Sequence, residues 1–113
     1  MSKIVHDLNV TKPDYKGHSI VNLMRTLGDV CGAPRSWSPY QPLIDLDDRL
    51  AQAQRIVLLV IDGLGLELLR AIGGNTVFAK YECGHMTSVY PPTTAAAITT
   101  FMSGLAPQQH GLT

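Results

Sequence analysis

No sign of charge predominates in this 113-residue sequence, in which nine Lys and Arg stand against nine Asp and Glu. Without a basic surplus there is no electrostatic footprint for nucleic acid and no pull toward an anionic membrane surface. Long apolar runs are missing too. No stretch of about 18 residues is continuously apolar, and Met1-Ser2-Lys3-Ile4-Val5-His6-Asp7 has no apolar core of signal-peptide length. The expectation is a soluble, cytoplasmic protein with no membrane partner. Cysteine is scarce: Cys31 and Cys83 lie far apart in no CxxC or metal-like spacing, which reads as two ordinary thiols. Internal repeats and low-complexity tracts are absent.

What remains is a sequence with 45% hydrophobic and 16% charged residues, the composition of a globular protein of one domain at most. Residues 1–17, with Pro13 and Gly17, show no sustained periodicity and read as an extended lead-in. From Ser19 the pattern turns helical. Ile20, Leu23, Met24, Leu27 and Val30 recur at three- and four-residue steps, Asn22, Arg25 and Asp29 fall on the other side, and Gly32 and Pro34 end the run. His18 or Ser19 supplies the cap. Residues 35–42 are a loop with Trp37 and Tyr40. Residues 43–54 read as a short polar helix whose Asp45, Asp47 and Asp48 suit a first helical turn better than a metal site.

The centre of the pattern is Ile56-Val57-Leu58-Leu59-Val60-Ile61-Asp62-Gly63-Leu64-Gly65. Six unbroken apolar residues ending on an aspartate fit a strand buried on both faces of a parallel sheet, with Asp62 at the carboxyl edge where such sheets bind ligands. Leu66 to Ile72 should be a helix closed by Gly73-Gly74, and His85 to Tyr90 a second strand parallel to the first. The alanine-rich run 95–103, stopped by Gly104 and Pro107, is a third helix with Thr93 or Thr94 at its start. A hydroxyl there lies in the positive field of the helix N-terminus, beside free backbone N–H groups. Asp62 and that hydroxyl should converge to metal-bridging distance, and an alkoxide nucleophile near neutral pH needs such a metal.

Val57 to Gly65 followed by Pro91 to Gly111 resembles the type I phosphodiesterase/nucleotide pyrophosphatase family of the alkaline phosphatase superfamily. The resemblance rests on the strand ending in Asp62-Gly63, the threonine opening a helix, and the tail Ser103-Gly104-Leu105-Ala106-Pro107-Gln108-Gln109-His110-Gly111-Leu112. It implies an α/β, three-layer fold with a mostly parallel central sheet flanked by helices. Residues 1–54 would be a lead-in with helices, and residues 55–113 the first strands and nucleophile helix of an incomplete phosphodiesterase-type domain.

It further implies a metal-dependent hydrolase of phosphodiester or pyrophosphate bonds acting on a small diester or nucleotide. Asp62 would be a metal ligand, Thr94 both nucleophile and metal ligand (Thr93 if the register shifts by one), and the cofactor two divalent ions of the zinc type. The family's two-metal site takes about six Asp and His side chains, so the remaining ligands are expected beyond Thr113 and the 113 residues alone are expected to be inactive. The sequence departs from eukaryotic-type members where an asparagine holds phosphoryl oxygens; Ala97 stands there. His110 is expected to be structural, and His6, His18 and His85 have no partner spacing. The rival expectation is a non-catalytic phosphate- or nucleotide-binding α/β module using the same helix end without metals.

Overall fold

A computed structural model of the protein describes residues 11–44, 46 and 48–113. Among them the regular structure is helical. The elements are α1 (Ile20–Val30), α2 (Arg49–Gln52), α3 (Leu66–Ile72), α4 (Val77–Lys80), α5 (Thr94–Ser103) and α6 (Pro107–His110), with a 3-10 turn at Arg35–Trp37. Asp45 and Asp47, expected on a polar helix over 43–54, lie outside the described residues, and the helical part of that stretch is the single turn of α2.

The expected α/β fold with a mostly parallel central sheet is not what forms: the described residues contain no strand and no sheet. The reason is pairing. Residues 56–61 are apolar and lie outside any helix, but a strand exists only where a neighbour completes its ladder, and among the described residues no bridge reaches this segment. The segment expected as its partner turns elsewhere. Thr87 forms a lone parallel bridge with Ser19, its amide donating to the His18 carbonyl at 2.7 Å and its carbonyl accepting from Ile20 N at 3.1 Å. The Thr87 hydroxyl adds to that link, accepting from Asp14 N at 2.9 Å and donating to His18 O at 3.1 Å.

The core sits where α1 packs on α5, with α6 folded against α5. It consists of Ile20 and Val21 of α1, Val89, Ala96 of α5, and Ala106, with Tyr15, Tyr40, Ala97 and Phe101 packed around it. Ser19 caps α1, as expected, but Asn22 does not face outward. It is fully buried, and its amide makes four hydrogen bonds. Its Oδ1 accepts from Ser19 N and Ser19 Oγ at 3.1 and 2.7 Å, and its Nδ2 donates to the carbonyls of Tyr15 and Gln41, each at 2.9 Å. One side chain thus ties the lead-in, the start of α1 and the loop after residue 40.

Trp37 is the second tie. Its indole lies against Gly28 of α1 and Gly104 beyond α5, so closely that a Cβ added at either glycine would overlap the ring. Gly104 takes the left-handed conformation at φ +69°, ending α5 as its sequence predicts. The short helix α6 then folds back on α5, with Tyr40 Oη donating to Gln109 Oε1 at 2.5 Å. Burial raises the Tyr40 phenol above its ordinary pKa, against a lowering by the Ala106 backbone, so it stays protonated as that donor.

Candidate functional site

Thr93 and Thr94 differ in what they do, although helix propensity alone leaves either as the start of α5. Thr93 is the N-cap of α5, and its Oγ1 accepts from Ala96 N at 3.2 Å. That hydroxyl is committed to holding the helix end. Thr94 is the first helical residue, so its side chain is free of the cap. Its Oγ1 donates to the Asp62 carboxylate, 3.2 Å from Oδ2 and 3.4 Å from Oδ1. The acid and the alcohol expected to converge do so.

Asp62 is brought there by the turn that follows the extended segment. Gly63 adopts φ +75°, and Leu64 N donates to the Ile61 carbonyl at 3.4 Å, closing the turn before α3 begins at Leu66. Both site residues are exposed. They sit on a cleft of about 410 Å³ with apolar walls from Ile20, Val60, Ile98 and Phe101. Asp62 is the only ionisable residue among the described ones that line it. Ala97 lines it too. Ala97 N bonds the Thr93 carbonyl and Ala96 N the Thr93 hydroxyl, whereas the amides of Thr94 and Ala95 find no protein acceptor among the described residues. The cleft therefore combines a lone carboxylate, an oriented hydroxyl and two free N–H groups at a positive helix end.

A model of the type I phosphodiesterase / nucleotide pyrophosphatase family matches residues 56–113. The protein belongs to that family. The matched residues hold both Asp62 and Thr94. No curated protein and no solved structure matches the sequence.

The metal ions that membership in the phosphodiesterase family implies can be tested against the donors present. Asp62 and Thr94 offer hard oxygen atoms of the right kind, but two side chains fall short of the three protein ligands of a catalytic zinc. No group of three or more His, Cys, Asp or Glu able to hold a metal occurs among the described residues. These residues do not by themselves fit a metal site. His110 is turned to other partners, Thr100 and the Leu112 amide. His18 pairs with Asp14 at 3.2 Å, and Cys31 and Cys83 are free and exposed. The residues that sequence reasoning misses are Ile20 and Ser88, which line the cleft from α1 and from the segment before Tyr90. No local signal marks Ser88. Ile20 belongs by its spacing to a core stripe, which it also occupies.

Proposed function

We propose that this protein supplies the nucleophile of a hydrolase acting on phosphodiester or pyrophosphate bonds. The observation that supports it best is the Thr94 hydroxyl held against Asp62 at the free end of α5, within the residues that match the family. The carboxylate accepts the hydroxyl hydrogen and so turns an oxygen lone pair away from itself, toward the cleft. In-line attack forms a bond from Thr94 Oγ1 to phosphorus and breaks the bond to the leaving ester oxygen, which takes up the proton that the hydroxyl loses. Water then hydrolyses the phosphothreonine. The unbonded amides of Thr94 and Ala95 are placed to donate to the equatorial oxygens, a kind of contact worth about 10²–10³ in rate where one donor is removed.

The charge of the cleft bears on the cofactor. A phosphodiester anion about 4 Å from the Asp62 carboxylate is repelled by roughly 4 kcal/mol at an effective dielectric of 20. No cationic side chain among the described lining residues offsets this. The N-terminus of α5 offsets part of this, and added positive charge would offset the rest, which favours a divalent-cation enzyme over a metal-free phosphate-binding module. Two zinc-type ions are the proposal. Asp62 and Thr94 would contribute donors, and further donors from outside the described residues would complete the site; without them the 113 residues would be inactive. Among the described residues no helix is long and apolar enough to cross a membrane. A cytoplasmic location fits the two free, exposed thiols, which persist in a reducing compartment.

The test is hydrolysis of bis-p-nitrophenyl phosphate with zinc. The 113 residues alone should show none. A longer protein that includes the remaining donors should turn over, bind two metals, and lose on the order of 10⁴-fold or more of its rate in Thr94→Ala. Full activity in Thr94→Ala removes the nucleophile assignment, and phosphate binding with no bound metal returns the binding-module reading.

A further inference from the structure

His110 ends α6, and the left-handed Gly111 (φ +75°) turns the backbone back over its ring. Leu112 N donates to His110 Nδ1 at 3.1 Å. A nitrogen that accepts an N–H carries no proton of its own, which leaves Nε2 to carry the ring hydrogen. That Nε2–H lies 3.2 Å from Thr100 Oγ1, and Thr100 is fully buried. Both ring nitrogens are thus used, one holding the returning backbone and the other gripping α5.

Thr100 lies six residues from Thr94 on one helix, about 9 Å along its axis. A ten-residue α-helix moves as a rod, so what fixes its second half also sets the direction of its first residue. We infer that His110, as the neutral Nε2–H tautomer, is a positioning residue that holds α5 in the orientation at which the Thr94 hydroxyl meets Asp62. The groups around the ring suit this role. Tyr40 faces α6 from the preceding loop, bonded to Gln109, and no Asp, Glu, Lys or Arg of the described residues is placed as an ion-pair partner of His110. Hydrogen bonding, not charge, makes the grip.

The importance given to Thr94 rests on the hydrolase reading. The test uses no turnover, so failure of that reading and failure of this one are distinguishable. Nitrogen NMR of the protein should show His110 as the Nε2–H tautomer. In His110→Phe, which keeps a ring without its nitrogens, the Thr94 methyl and Asp62 carboxyl resonances should shift. Thr100→Val should shift them in the same direction, and the double variant no further than either single one. His110→Gln, whose amide Nε2–H can reach Thr100, should bring them back toward their original positions. An Nδ1–H tautomer in the unaltered protein overturns the inference, and does so whether or not the variants fold. Unmoved Thr94 and Asp62 signals in a folded His110→Phe or Thr100→Val overturn it equally.

Discussion

The corner where α1 meets α5 and α6 and the run from Ile56 to Ile61 make opposite use of apolar residues. The corner is built from modest side chains, Val21, Val89, Ala96 and Ala106, together with the polar Ser19, Asn22 and Thr100, and these are buried. The run holds the most hydrophobic sequence in the protein and lies open, with Val57 89% and Leu59 71% exposed. Hydropathy states what a segment gains by burial, about 1.5–3 kcal/mol for a large aliphatic side chain. Whether it is buried depends on what lies opposite. The candidate site spans the two regimes, since Thr94 rises from the packed corner and Asp62 from the open arm.

The sharpest way to test the packed side is Asn22→Leu. The change keeps the branching of the side chain but strips four hydrogen bonds, leaving the buried Ser19 N and Oγ and the half-buried Tyr15 carbonyl without that partner, along with the carbonyl of the exposed Gln41. Each orphaned group costs about 1–3 kcal/mol, so stability should fall by about 3 kcal/mol or more in urea denaturation. A loss under about 1 kcal/mol would mean that water reaches these groups and that the corner is not the packed half of the molecule.

Asn22 also shows how far the sequence can be read. Polarity at that position suggests exposure, although Ser19 followed by Asn22 has the spacing of a reciprocal helix cap, and that signal was available. The bounds of α3 and α5 are legible because glycines stop them: Gly73 closes one, and Gly104, in the left-handed conformation, closes the other. The meeting of Asp62 with Thr94 is legible from the order of motifs. The sheet is expected and does not form among the described residues, because an apolar β-branched run reports a preference for extended backbone, whereas a ladder needs a second strand in register. Residues 85–90 spend their pairing on Ser19 instead. The contact of Thr100 with His110 has no local signature, since it depends on α6 folding back.

Two glycines set the two regions side by side with nearly the same backbone. Gly104 at φ +69° and Gly63 at φ +75° are both left-handed. An alanine in that conformation costs about 1–2 kcal/mol at either place. At Gly63 the new Cβ meets nothing within 4 Å, so Gly63→Ala should cost no more than that. At Gly104 it would overlap the Trp37 ring, and relieving the overlap adds about 1–3 kcal/mol. Thermal unfolding of the two variants should therefore differ by the second amount alone. Equal losses would show that Trp37 shifts freely and does not tie α1 to α5.

The smallest expected effect is the most telling about the open arm. Val57→Lys places a charge in the middle of the most hydrophobic segment, a change that in a buried strand would be ruinous. Here the side chain is 89% exposed and lies outside the core cluster, so unfolding should move by no more than about 0.5 kcal/mol. Its consequence should appear instead in association. An exposed apolar segment whose backbone groups find no ladder among the described residues invites other molecules of the protein, and a lysine at such an edge discourages them. Light scattering at rising concentration should show less self-association for Val57→Lys than for the unaltered protein. A large loss of stability would mean that residues 56–61 are covered in solution, and the contrast between the two regions would then collapse into a single core.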